Sequence, residues 1–159
     1  GHEGRRVTHV INCLAQEEDD TIVAAFHSAG RILTLGLEDD DDDQKMALSL
    51  PKAAAFVRAA RQAVPNALVY VHCMSGVNRA PSVSAAVLCS EERCSLLVAL
   101  SAIRAVRPAM RPKYVKEVAL YEERLLGVAS SVPALRDGLG SGELAQSYYG
   151  LKNDHSQAG

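Results

Sequence analysis

Apolar residues along this chain recur with two different periods, and the switches between them divide it into elements. Residues 7–12 (VTHVIN) are short and β-branched and predict a buried strand, with Cys13 just past its end. The acidic run 17–20 then caps a helix over 20–28, where Ile22, Val23 and Phe26 fall at helical spacing and Gly30 marks the stop. Residues 31–37 (RILTLGL) alternate as a second strand, and five consecutive aspartates, 39–43, follow as an acidic loop. The next helix is expected from about 49 to 64, with Pro51 in its first turn and Ala55, Phe56, Ala59 and Val64 on its buried face. Pro65 and Asn66 break it, and 67–71 is the third strand. Beyond the third strand the pattern is helical: 79–91, then 95–107 with Leu97, Leu100, Ile103 and Val106 on one face, then 112–126 closed by Gly127.

Strands separated by helices predict the α/β class. The expected architecture is a central, mostly parallel twisted sheet built by right-handed crossovers, flanked by helices and followed by a helical C-terminal half. One domain, 6–127, accounts for these elements. From 128 the composition turns to Ser, Gly and isolated polar residues, so 128–159 reads as a largely disordered C-terminal tail, with 143–151 as a short helix or docking segment.

The third strand ends in His72-Cys73; Gly76 follows, and Arg79 opens an Ala-rich helical run. A strand, a tight loop and a helix start in that order make an anion site. The helix N-terminus leaves amide N–H groups unpaired, and a loop curled over it turns several of them inward. A thiol at the base of that loop sits in a positive field that favours the thiolate, and a guanidinium adds a planar fork for two phosphate oxygens. Cys73, the backbone of Met74, Ser75, Gly76, Val77 and Asn78, and Arg79 therefore converge on one tetrahedral anion. The plainer reading is a buried structural cysteine beside an incidental arginine.

His72-Cys73, Gly76 and Arg79 resemble the HCxxGxxR signature of cysteine-dependent protein phosphatases. THVINC near the start, LGLED after the second strand and ALSAIRAVRP with a following RP are similar to the corresponding stretches of dual-specificity phosphatases, over about residues 6–126. The resemblance implies that Cys73 is the nucleophile, that Arg79 and the loop amides hold the phosphoryl oxygens, and that a phosphocysteine forms and is hydrolysed. It places the general acid on an Asp just past the second strand: Asp39 first, Asp40 second, with the other three as a solvated run. His72 is expected to order the loop through a hydrogen bond, against a reading as a simple strand-end histidine. The family's first strand, which normally precedes the VTHVIN region, is missing or degenerate here, so the chain is expected to be truncated or to keep a remnant in residues 1–6.

Three departures from the family pattern change the expectations. Ala80 stands where Ser or Thr usually helps expel the thiolate, which predicts slow hydrolysis of the phosphoenzyme. Lys113 stands where an Asn usually supports the acid loop. The spacing from Asp39 to Cys73 is slightly long. Cys13 is a candidate redox partner for Cys73, with a small apolar filler as the plainer reading.

Composition narrows the partners. At 159 residues with 48% hydrophobic content and no long apolar stretch, the chain suits one globular domain, and neither a signal peptide nor a membrane span is visible. Four cysteines without disulfide or metal spacing point to a reducing compartment, the cytoplasm with the nucleus also open, and no cofactor or metal is called for. A net charge of −2 gives no global attraction to nucleic acid or anionic lipid. The expected partner is a phosphorylated protein, with Arg107, Arg111 and Lys113 either helping to bind it or capping helix ends. Two alternatives stand beside it: a noncatalytic phospho-binding scaffold, and a phosphatase for a phosphoinositide or an RNA 5′-phosphate. The uncharged Met74, Ser75, Val77 and Asn78 weigh against the inositide, and the lack of basic surface against RNA.

Overall fold

The computed structural model describes residues 4–15, 21–38 and 42–131. Three strands, β1 (His9–Leu14), β2 (Ile32–Leu37) and β3 (Val69–His72), alternate with α1 (Thr21–Ser28) and α2 (Asp43–Ala63); α3 (Arg79–Glu92), α4 (Leu96–Val106) and α5 (Val115–Leu126) complete the fold. Both pairings are parallel, in the order β2-β1-β3, with Val10 opposite Ile32 and Asn12 opposite His72. The α/β class and the parallel sheet are as the sequence pattern predicts. Every residue of the central strand β1 is buried, whereas β3 lies at an edge with Tyr70 55% exposed. Residues 5–8, ahead of β1, form no strand.

Five details depart from expectation. β1 runs on to Leu14, so Cys13 lies inside the strand and in the core, not past its end. α2 starts at Asp43, not at 49, because acidic residues suit a helix N-terminus and the Asp42 carbonyl accepts the first helical bond from the Met46 amide at 2.9 Å. Pro51 is then inside the helix; it stands on the exposed face, where the carbonyl it cannot pair can face water. The earlier start also resets the buried stripe to Met46, Leu50, Ala53, Ala54, Val57 and Ala60, leaving Ala55 and Ala59 exposed and Phe56 and Val64 half-buried. On α4 the inward face is Leu96, Ala99 and Leu100, with Ile103 packed beside them, while Leu97 and Val106 face solvent.

α5 closes on Gly127 at φ +70, as predicted, but the chain does not leave the fold there. Glu122, buried on α5, accepts from Ser130 Oγ at 2.6 Å, the Ser131 amide at 2.9 Å and Ser131 Oγ at 2.7 Å, and also caps the free Leu96 amide at the start of α4. One carboxylate thus ties the α4 N-terminus and residues 130–131 to α5. The rest of the expected tail with its 143–151 segment, the acidic run 17–20 and residues 1–3 lie outside the described residues. Among the described residues no helix is long and apolar enough to cross a membrane.

Candidate active site

β3 ends at His72 and α3 begins at Arg79, so residues 73–78 form the loop that the spacing predicts, at the carboxyl end of a parallel strand. Arg79 is only 7% exposed; its Nη1 donates to the Leu37 carbonyl at 2.8 Å, which fixes the guanidinium against the end of β2. Cys73 is half-buried, and Met74 and Ser75 are exposed.

The outer side of the loop is held by the segment joining α4 to α5. Arg107 reaches two successive carbonyls, Nη2 donating to Ser75 O at 2.6 Å and Nε to Gly76 O at 3.4 Å. The Arg111 amide donates to Val77 O at 2.7 Å, and the Lys113 amide to Asn78 Oδ1 at 2.7 Å. Asn78 in turn accepts on its own carbonyl from the Ser82 amide at 3.2 Å and from Ser82 Oγ at 2.8 Å. Gly76 sits at φ +69, where an L side chain is strained, and a Cβ there would lie 3.2 Å from Arg107 Nη2. The backbone conformation therefore favours the glycine of the signature, and a Cβ there would press on the Arg107 guanidinium.

The expected acids Asp39 and Asp40 lie outside the described residues, but their flanks are fastened to the same site. The Glu38 carbonyl accepts from Tyr114 Oη at 3.1 Å, and the Glu38 amide donates to Asp42 Oδ2 at 2.9 Å. With Leu37 bonded to Arg79, the chain position just before Asp39 is held beside the guanidinium.

A family model, the catalytic domain of dual specificity phosphatases, matches residues 2–124. The chain belongs to that family. Mouse dual specificity protein phosphatase 19 is 26% identical over 119 residues, covering 74% of this chain and 50% of that protein, so the chain spans about half the length of this curated relative. Among solved structures, human DUSP28 is 25% identical with a TM-score of 0.62, covering 75% of this chain and 76% of that one. A mouse dual specificity phosphatase complexed with zinc tungstate has the same fold at a TM-score of 0.64 and 22% identity, over 76% of this chain and 72% of that one.

Within this phosphatase domain the remaining sequence candidates separate. The His72 ring makes no hydrogen bond among the described residues; it stacks on Tyr70, with centroids 5.4 Å apart and planes 13° from parallel. Arg107 and Arg111 are engaged with backbone carbonyls, Arg111 Nη1 donating to Pro108 O at 3.1 Å and Met110 O at 2.7 Å. The role seen for Lys113 is played by its amide, which any residue but proline supplies, so the departure from Asn leaves that contact intact. Ala80 is buried and lines, with Tyr70, His72, Cys73, Ser84 and Arg107, a cavity of about 390 Å³ on the β3 side of the loop. The loop-holding role of Arg107 and the contact from Tyr114 have no signal in the sequence beyond the IRAVRPAMRP spacing of residues 103–112.

Cys13 follows Asn12, which pairs with His72, so it lies next to Cys73 across the sheet. It is fully buried, and burial, with a smaller push from Cys73 and an opposing pull from Arg79, raises its thiol pKa to about 12. A thiol that stays protonated at neutral pH resolves a sulfenic acid slowly. Cys13 is therefore expected to behave as a core residue. Peroxide inactivation at pH 7 should oxidise Cys73 without a Cys13–Cys73 disulfide in peptide maps; finding that disulfide as the main product would reverse the assignment.

Proposed function

We propose that this chain hydrolyses phosphate monoesters on phosphotyrosine and/or phosphoserine and phosphothreonine of proteins, through a phosphocysteine. The observation that carries the reading is the single loop with Cys73 at its base and buried Arg79 at its end, its carbonyls at 75–77 all bonded on the outer side. In the first step the Cys73 thiolate attacks phosphorus, the S–P bond forms, and the P–O ester bond breaks. The leaving oxygen takes its proton from Asp39, with Asp40 as the second candidate. In the second step water attacks phosphorus and gives its proton to the carboxylate left by the first step, sulfur leaves as thiolate, and inorganic phosphate departs. Arg79 and the loop amides stabilise the equatorial oxygens in both steps. No cofactor enters this chemistry. The uncharged side chains of Met74, Ser75, Val77 and Asn78 suit a substrate with one phosphate, which favours a phosphoprotein over a phosphoinositide.

Ala80 makes the intermediate the point of test. With no hydroxyl at this position to assist the departing thiolate, the second step is expected to limit turnover. Rapid acid quench of the protein with a ³²P-phosphotyrosine or phosphothreonine peptide should trap label on Cys73 with a burst near one equivalent. Ala80→Ser should raise the steady-state rate on the order of tenfold and shrink the trapped fraction. Binding of the peptide with neither label nor phosphate release would instead make the domain a phospho-binding scaffold.

A further inference from the structure

Three successive carbonyls of the loop, those of Ser75, Gly76 and Val77, are bonded on its outer side: the first two to one guanidinium and the third to the Arg111 amide. In a trans peptide the N–H points opposite to the C=O of the same plane, and no cis bond occurs among the described residues. Turning these three carbonyls outward therefore turns the amides of Gly76, Val77 and Asn78 toward the opposite, inner side. A loop of this kind has no internal reason to hold that arrangement. A peptide at a left-handed glycine flips readily, and inward amides repel one another until an anion arrives.

We propose that Arg107 is a positioning residue that keeps the phosphate cradle assembled before substrate binds. Its guanidinium lies across Gly76, within 3.2–3.6 Å of where a Cβ would stand, and bridges the carbonyls of the two peptide units that flank the Gly76 Cα. Two bonds from one rigid plane fix the relative orientation of two peptide units, which a lysine ammonium cannot do. Arg107 is exposed and the core does not depend on it, so its contribution is to the order of the loop. This inference extends the phosphatase reading, because the anion it prepares for is the phosphoryl group.

The test uses the full chain with Arg107→Ala and Arg107→Lys. Amide hydrogen exchange at Gly76, Val77 and Asn78 without ligand reads the order of the loop independently of activity, and should be faster in both variants. Inhibition by tungstate, a tetrahedral oxyanion, should weaken about tenfold in Arg107→Ala. Turnover of an aryl phosphate should fall about 30-fold, chiefly in kcat, because the amides are aimed at the oxygens of the transition state. Arg107→Lys should recover only a small part of either, while the melting temperatures of both variants stay close to that of the parent. Unchanged exchange at 76–78, or full rescue by lysine, would overturn the proposal. If the parent protein has no activity but the exchange difference is present, the positioning role stands and the phosphatase reading fails.

Discussion

Replacing Cys73 by serine is expected to reduce hydrolysis of any phosphate ester to background, a loss on the order of 10⁴-fold or more, while phosphopeptide binding persists. The hydroxyl occupies the same place but is not ionised at neutral pH, and in the proposed first step sulfur is the atom that bonds to phosphorus. Arg79→Lys should cost about 10²–10³-fold through loss of the fork on the equatorial oxygens. It also removes a fixed alignment, because Nη1 is anchored on the Leu37 carbonyl at 2.8 Å and a single ammonium cannot hold that bond and span two phosphoryl oxygens. Steady-state assay of both variants with an aryl phosphate and with phosphopeptides checks this. Residual activity in Cys73→Ser within tenfold of the parent would remove the thiolate from the mechanism.

The second large effect falls on stability, far from the loop. Glu122 is 1% exposed, and its carboxylate collects donors from Leu96, Ser130 and Ser131. Burial pushes its pKa up, but the bonds from Ser130, the Leu96 amide and Ser131 outweigh that, and the net direction is downward from the ordinary 4.5. Glu122→Ala leaves several buried donors without an acceptor and is expected to destabilise the fold by about 3 kcal/mol. For a folded unit of this size that is a fall of roughly 10 °C in Tm. The sign of the pH effect follows from the depressed value. The stabilisation is full above the unfolded-state pKa near 4.5 and is lost as pH falls through the lower folded value, so parent and variant should converge in acid. Urea unfolding at pH 7 and on the acid side measures both. A variant as stable as the parent at pH 7 would show that residues 130–131 and the α4 cap contribute nothing.

Much of this was legible in the sequence, and the limits have physical causes. The β-branched VTHVIN run reads as a buried strand and the RILTLGL run as an alternating one, which is half-buried along most of its length, and the loop signature marks where β3 ends and α3 begins because it uses Cys73, Gly76 and Arg79 together. The start of α2 was missed because a run of aspartates has two solutions, solvated loop or helix N-terminus, and the Asp42 carbonyl bond that chooses between them is not a local preference of composition. Pro51 reinforced the error, since its usual place is a first turn. The α4 face was out of phase because it is set by where Ser95 caps and Glu122 grips, the second of these being tertiary. Arg107 read as a surface charge because its partners are backbone carbonyls, which carry no signature in a sequence.

Along β3, hydrogen bonds among the described residues run on one side only, and the strand 69–72 carries neither a charged side chain nor a proline to discourage a newcomer on the other. Four residues make a short template, which limits how firmly another chain can add there. The location matters more than the length, since His72 leads directly into Cys73. Any strand that adheres in a crowded or concentrated sample rests against the base of the candidate loop. Handling losses in this protein should therefore register first as lost turnover in material that is still folded.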